Sequence, residues 1–189
     1  MLISERYRPF TEMYSPEVLP EVIRHRFTRL LRVASVSYEG FHVLTDEQMI
    51  SPLFLQSDTP LKQLRHIVMH TFASVAVMSQ ATKDNPGVLD SWNYTQQFPG
   101  LQKVETMDRE GLLFLFGETL GALHRVLQKP GILSCSIKKP VEPGEWVILP
   151  VADALGDLSE HFYLHAQNMI DYYESFRLER SASMKVALG

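Results

Sequence analysis

The sequence has 189 residues, of which 45% are hydrophobic, with a formal net charge of -4 and a pI near 6.0. This length is sufficient for one compact domain with a substantial core, and we do not expect a second domain. The acidic balance provides no basic field of the kind that phosphate contacts require, so nucleic acid is not an expected partner.

Cysteine usage and apolar runs limit the compartment and the type of metal site. Cys135 is the only cysteine, which excludes an intramolecular disulfide and a thiolate zinc cluster. No segment approaches the roughly 18 consecutive apolar residues of a membrane span, and the first ten residues lack the apolar core of a signal peptide. We therefore expect a soluble, cytoplasmic protein with no membrane partner, in which any metal is held by nitrogen or oxygen.

The first helical stretch follows Ser15 and Pro16, which are typical of an N-cap and a first turn. Apolar residues then recur at steps of three and four, which predicts an amphipathic helix that ends near Gly40. The residues of this stripe are Leu19, Ile23, Phe27, Leu30, Ala34, Tyr38 and Phe41. Residues 45–48 predict a short additional turn.

The second helix is predicted to begin at Asp58 or Thr59, with Pro60 at its first position, and to end near Gln80. Its apolar residues surround most of the circumference, so it should be buried on more than one side. Residues 83–105 then lose the helical pattern, and we expect a long connection that Trp92 and Tyr94 pack against the domain. Connections of this length are often functional.

The third helix is predicted from about Thr106 to Gln128, with a clear stop at Lys129-Pro130-Gly131. Residues 132–150 show weak alternation and three prolines, which predicts a second long connection, irregular or partly extended.

The fourth helix is predicted from about Val151 to Arg177 and has the best-defined apolar stripe. The acidic residues Asp153, Asp157 and Glu160 lie on the opposite, solvated face. We therefore predict an all-α fold, an antiparallel four-helix bundle with long loops between helices 2–3 and 3–4. It forms a single domain over residues 1–189, with its core at about 18–178 and a frayed tail at 179–189.

His161 and His165 are four residues apart on the fourth helix, so their side chains lie one turn apart on nearly the same face. At 100° per residue both fall inside the apolar stripe, which places the imidazoles in the interior of the bundle. Buried polar rings are costly unless each nitrogen has a partner. A shared metal ion would satisfy one nitrogen on each ring, whereas ordinary hydrogen bonds in the core are the alternative.

A complete coordination sphere needs a ligand from a facing helix, and the second helix offers His66 and His70, again four apart. Spacing alone leaves two kinds of site open. Four histidines would close a tetrahedral structural site, whereas three would leave a position for water or substrate. His25, His42 and His124 are interpreted as surface or stripe-edge residues, with His124 the one that could reach the centre.

Three segments resemble the DinB/YfiT-like superfamily of metal-binding four-helix bundles. They are the run Thr59-Pro60-Leu61-Lys62-Gln63-Leu64-Arg65-His66, the late tryptophan in Gly144-Glu145-Trp146, and Leu158-Ser159-Glu160-His161-Phe162-Tyr163-Leu164-His165 near the C-terminus. The order and spacing of these segments cover roughly residues 18–176. The chain departs from the family after the final histidine, where Ala166-Gln167-Asn168 replaces the usual Arg-Gly-Gln.

The resemblance implies that His66, His161 and His165 are the metal ligands and that His70 lies beside the site or in the core. It further implies up-down-down-up connectivity, zinc or nickel as the ion, and a homodimer. Some relatives are transferases or isomerases that use low-molecular-weight thiols. We therefore expect a metal-dependent hydrolase or thiol transferase acting on a small molecule. The alternatives are a non-catalytic stress-response or binding bundle with a structural metal, or a bundle with no metal.

Tyr38, Trp146, Tyr163 and Tyr172 are candidate pocket-lining residues, although aromatic residues at helical spacing are usually core. No general base is evident, because the acidic residues of the fourth helix point away from the histidines. Cys135 is interpreted as an ordinary loop or core residue, since no activating neighbour accompanies it.

Overall fold

Four long helices form the body of the computed structural model, which describes residues 10–52, 58–90 and 93–187. In chain order the helices are α1 (Phe10–Met13), α2 (Glu21–Val43), α3 (Asp46–Ile50), α4 (Pro60–Gln80), α5 (Tyr94–Gln97), α6 (Arg109–Leu127) and α7 (Val151–Ala187), with 3-10 turns at Pro16–Val18, Pro99–Thr106 and Ile132–Ser134. The long helices α2, α4, α6 and α7 are the four that the sequence predicts. Within the described ranges, no helix combines the length and the apolar character needed to cross a bilayer.

Helix α2 begins later and ends later than predicted. Leu19 is extended, with φ -87° and ψ 151°, because the proline that follows it disfavours the helical conformation. The helix then passes through Gly40, where a Cβ atom would lie 2.9 Å from Cβ of Met169. Gly40 therefore permits the close approach of α7 and does not end the helix.

Side-chain caps fix the starts of α3, α4 and α6. Thr59 accepts a hydrogen bond from the backbone N–H of Lys62 at the start of α4, and Asp108 accepts one from Gly111 at the start of α6. At α3 the side chains of Thr45 and Gln48 form a reciprocal capping box, which accounts for the predicted short turn. Helix α7 continues to Ala187, beyond the predicted end at Arg177.

A small sheet corrects the all-α prediction. Its strands are β1 (Gly87–Val88), β2 (Ser136–Glu142) and β3 (Glu145–Pro150), in the order β1-β2-β3, with β1 parallel and β3 antiparallel to β2. The segment predicted to be irregular or partly extended is thus a hairpin, whose turn places Pro143 before Gly144 at φ 86°. Pro140 is tolerated in β2 because β1 pairs only with Ile137 and Lys138 and does not extend to it.

One continuous hydrophobic core joins all four long helices and reaches the sheet through Ile137. Helix α2 packs mainly against α7, and α4 packs against both α6 and α7. In the connection between α4 and α6, the described elements pack against α4 and Tyr94 is buried, as expected from the sequence, whereas Trp92 lies outside the described residues. The interface between α4 and α7 is the part of the fold that carries the paired histidines.

Candidate metal centre

Helices α4 and α7 bring three histidines together. His66 lies in the second turn of α4, and His161 and His165 lie on successive turns of α7. One ring nitrogen from each of the three lies within 4.8 Å of the others. His161 and His165 are half-buried, and His66 faces solvent at the edge of the group. The three residues thus converge from two separate helices on one position.

The ring positions fit a single metal ion. The ring centroid of His66 is 5.0 Å from that of His161 and 5.3 Å from that of His165, and the two α7 rings are 4.8 Å apart. A tetrahedral ion with metal–nitrogen distances of about 2.0–2.1 Å holds its ligand nitrogens about 3.4 Å apart. Side-chain rotations that move each nitrogen by about 1 Å would therefore complete the coordination.

The Nε2 atom of His161 is the clearest sign that a partner belongs here. It is buried and has no hydrogen-bond partner among the described residues. An unsatisfied buried nitrogen of this kind costs free energy, and a metal ion is one of the groups that satisfies it. Burial, reinforced by the neighbouring His165 and His66, lowers the pKa of His161 to about 3. The ring is therefore neutral at physiological pH, which is the form that binds a metal.

The pKa values of the other two rings are lowered as well. Burial and the adjacent His66 lower the pKa of His165 to about 4. Although His66 is exposed at the edge of the group, partial desolvation of its ring lowers its pKa. The carboxylate of Asp58 opposes the shifts of both His66 and His165, whereas the ammonium of Lys62 adds to that of His66. Asp58 stands just before α4 and forms a 2.5 Å ion pair with Lys62. Its negative charge favours a cation at the histidine group, and the positive charge of Lys62 offsets part of this effect at His66.

His70 lies beside the group and is not part of it. Its ring stacks on that of His161, with centroids 4.2 Å apart and 15° between the planes. The Nδ1 atom of His70 is hydrogen-bonded to the hydroxyl of Tyr94. Burial lowers the pKa of His70 well below its usual value, and raises that of Tyr94 beyond the ordinary range of a phenol. His70 and Tyr94 therefore form a neutral pair that walls one side of the group.

The remaining histidines lie away from this position, as the sequence indicated. His25 and His42 are exposed. His124 stacks on Phe27 with ring centroids 5.4 Å apart, and its Nε2 lies 3.0 Å from the backbone oxygen of Ser15. His124 is thus a residue of the stripe edge and does not reach the centre.

The aromatic residues that the sequence suggested as pocket-lining divide between core and surface. Tyr38 packs on the rings of Phe10 and Phe116, whereas Trp146 and Tyr163 are largely exposed. Tyr172 is buried, and its hydroxyl donates a hydrogen bond to the backbone oxygen of Asp58.

Three acidic residues in the first half of α7, namely Asp153, Asp157 and Glu160, face solvent, as predicted. Asp153 pairs with Arg26, Asp157 with Lys139 and Glu160 with Arg29. These pairs engage the carboxylates away from the histidine group.

A small cleft adjoins His70 on the side of the sheet. It offers about 90 Å³ of space between α4, β2 and α7. Its lining is mostly apolar, with Lys139 and Asp157 as its charged members, and includes Ser74, Met78, Leu89, Ile137, Ala154 and Leu158. Because Lys139 and Asp157 pair with each other, their charges offset one another at the cleft.

The fold resembles that of solved structures. One is described as YfiT from Bacillus subtilis, a probable metal-dependent hydrolase with an unusual four-helix bundle topology; the alignment covers 80% of this chain and 86% of that one, with a TM-score of 0.64 and 17% identity. The chain has the DinB/YfiT-like fold. No protein-family model and no curated protein matches the sequence.

A second solved structure, the mycothiol-dependent maleylpyruvate isomerase, aligns with a TM-score of 0.62 and 13% identity. The alignment covers 82% of this chain and 62% of the isomerase, so the present chain spans less than two thirds of that protein. Both comparisons confirm the resemblance to the DinB/YfiT-like superfamily at the level of the fold. The description as a probable metal-dependent hydrolase belongs to the first of these proteins, and mycothiol dependence belongs to the second.

Sequence reasoning did not identify the polar residues that contact the group. Gln63 precedes His66 by three positions on α4, and Asn168 follows His165 by three on α7. The same helical spacing that pairs the histidines places both amides on the histidine-bearing faces. Asp58 was interpreted only as a helix start, and the proximity of its carboxylate depends on tertiary packing.

Proposed function

We propose that this protein is a metal-dependent enzyme of the hydrolase or low-molecular-weight-thiol transferase type, with His66, His161 and His165 as the ligands of one divalent ion. One observation carries the proposal. Ring nitrogens from two helices meet within 4.8 Å, and one of these residues has a buried nitrogen with no hydrogen-bond partner. Three protein ligands leave one position of a tetrahedral ion for water or a substrate atom.

A divalent ion held by neutral imidazoles lowers the pKa of a bound water or thiol and polarises a carbonyl. The residues of the chain provide the setting for this chemistry. A small molecule can approach the ion from the side of His66, which lies at the solvent edge. His70 and Tyr94 cover the side on which His161 lies. The carboxylate of Asp58 supports the positive charge of the site.

The finer parts of the proposal follow from the family resemblance and from ligand chemistry. Zinc or nickel is the expected ion, because imidazole suits both. A low-molecular-weight thiol is one expected substrate, since such a reaction would not require Cys135 as a nucleophile. We also propose up-down-down-up connectivity, a homodimer and a cytoplasmic location. Sedimentation analysis would test the dimer directly.

Metal analysis of freshly purified protein tests the ligand assignment. We expect about one equivalent of divalent metal per chain, and substoichiometric metal in the His161→Ala variant, because loss of a ligand weakens binding more than the roughly 10–100-fold cost of losing an outer partner. His25→Ala is the matched control, since His25 is exposed. Equal metal content in the wild type and His161→Ala would refute the site.

Thermal-shift and turnover measurements on metal-loaded protein test the reaction class. A thiol that binds the native state raises the apparent melting temperature by mass action, and this shift should disappear in His161→Ala. Hydrolysis of activated esters and amides should likewise depend on His161. Stoichiometric metal with neither thiol binding nor hydrolysis would favour the non-catalytic bundle with a structural metal.

A further inference from the structure

Gln63 connects the two helices that carry the histidines. Its side chain is buried, with 6% of its surface exposed, one turn before His66 on α4. The Oε1 atom lies 3.3 Å from Nδ1 of His165 and 3.4 Å from Nδ2 of Asn168. One amide oxygen of α4 thus meets two nitrogen atoms of α7, and one of these belongs to a candidate metal ligand.

The chemistry of these groups determines the position of a proton. The structure places the oxygen end of the Gln63 amide toward α7, where it accepts a hydrogen bond from Nδ2 of Asn168. That oxygen can only accept, and the Nδ1 atom of His165 must therefore carry hydrogen to complete the contact. A neutral imidazole with hydrogen on Nδ1 keeps its lone pair on Nε2. In water, by contrast, a neutral histidine side chain favours hydrogen on Nε2.

We propose that Gln63, oriented by Asn168, is a positioning residue that holds His165 in the Nδ1–H tautomer. The functional significance of this assignment rests on the proposed metal site, because the Nδ1–H tautomer leaves Nε2 of His165 free to bind the ion. Metal-ligating histidines commonly donate their other N–H to an oxygen, which fixes both tautomer and ring orientation. Gln63 would act on His165 in this way from the helix that supplies His66.

The local geometry favours this role over simple filling of the core. A glutamine at a buried helix position costs free energy unless its amide is hydrogen-bonded, and leucine would fill the same space without that cost. The Gln63 oxygen has both partners on the face of α7 that carries His165. The network thus consists of Gln63 on α4 and of His165 and Asn168 on α7, with the oxygen of Gln63 between the two nitrogen atoms of α7.

The tautomer is measurable without any metal. In ¹⁵N-labelled, metal-free protein at pH 8, long-range proton–nitrogen correlation spectra distinguish the Nδ1–H and Nε2–H forms of His165. We expect Nδ1–H in the wild type and in Gln63→Glu, whose carboxylate also accepts. Gln63→Leu should shift His165 to mainly Nε2–H. Gln167→Leu is the matched control, because Gln167 is exposed on the same helix, and it should retain Nδ1–H.

A second variant covers the case in which Gln63→Leu does not fold. Asn168→Ala alters an exposed position and removes the donor that orients the amide. We expect a mixture of tautomers of His165 in this variant. Nε2–H in the wild type, or unchanged Nδ1–H in both Gln63→Leu and Asn168→Ala, would overturn the assignment.

Metal affinity separates this inference from the proposed function. Titration with Zn²⁺ or with Co²⁺, whose visible spectrum reports ligand geometry, should show affinity about 10–100-fold weaker in Gln63→Leu and near wild type in Gln63→Glu. If the wild type binds no metal but the tautomer shifts as expected, the metal proposal fails and the role of Gln63 stands. Equal affinities and equal tautomers in the wild type and Gln63→Leu would reject the role of Gln63 alone.

Discussion

The imidazole of His70 stacks face to face on that of His161, with centroids 4.2 Å apart and only 15° between the ring planes. An ion bound by imidazole lies near the plane of the ring, on the lone pair of the nitrogen. The planes of two rings stacked in this way cannot both contain an ion that lies about 2.0–2.1 Å from a nitrogen of each ring. The stacking therefore favours three ligands over the four that helical spacing alone left open.

The first prediction concerns His70→Phe. Phenylalanine retains an aromatic ring against His161 but has no nitrogen. We expect metal content to stay at about one equivalent per chain, because His70 is not a ligand in this arrangement. Elemental analysis after extensive dialysis gives the measurement, and His161→Ala supplies the contrasting loss. If His70→Phe lost as much metal as His161→Ala, the result would contradict the three-histidine site and support a closed centre with four histidine ligands.

The second prediction concerns the hydrogen bond that holds His70 in place. Tyr94 is buried, and its hydroxyl contacts Nδ1 of His70. Tyr94→Phe keeps the ring and leaves that nitrogen without its partner, which should lower the free energy of unfolding by about 1–3 kcal/mol. Urea unfolding measures the change. Tyr163→Phe, at an exposed tyrosine, should change stability by less than about 0.5 kcal/mol; similar losses in both variants would contradict a specific His70–Tyr94 bond.

The helices were predictable because their signals are local. The stripe of α6 places Phe116 in the core, and Thr59 and Pro60 mark the start of α4 within one turn. The hairpin was not predictable by the same means. Weak alternation and prolines in residues 136–150 argue against strands, yet Pro140 is accommodated because β1 is only two residues long. The length of β1 is a property of the partner strand and cannot be inferred from the sequence of residues 136–150.

Part of the candidate site was predictable because its signal, the spacing of the histidines along a helix, is also local. The spacing of His161 and His165 identifies a shared face, and the resemblance selects His66 over His70 from the other helix. The contacts of Gln63 with α7, and of His70 with Tyr94, join residues 24 to 105 positions apart. Their relative placement depends on how the elements pack, which periodicity does not specify.

The third prediction tests the core by comparing two phenylalanines of α6. Phe116 is fully buried and stacks on Phe162, with ring centroids 5.4 Å apart, whereas Phe114 is 71% exposed. Phe116→Ala should lower the free energy of unfolding by about 3–5 kcal/mol, because it removes apolar contacts and leaves a cavity. Phe114→Ala should change it by less than about 0.5 kcal/mol. Chemical denaturation of both variants tests which face of α6 is buried. Comparable losses of unfolding free energy in the two variants would contradict the burial of Phe116 and the exposure of Phe114.

The last prediction concerns acid stability of the metal-free protein. Burial lowers the pKa of His161 to about 3 and that of His165 to about 4, below the value of about 6.5 for an exposed histidine. Between pH 6.5 and these lowered values the unfolded chain binds more protons than the native one, so the free energy of unfolding must fall as pH decreases.

From pH 7.5 to pH 5.0 the ideal loss is about 2 kcal/mol for each fully shifted histidine, and solvent exposure reduces it. Urea unfolding of chelator-treated protein at the two pH values measures the loss. His165→Gln should diminish it, because glutamine does not titrate in this range, whereas the exposed His25→Gln should leave it unchanged. Stability independent of pH over this range would show that the rings of His161 and His165 are accessible to protons in the native state.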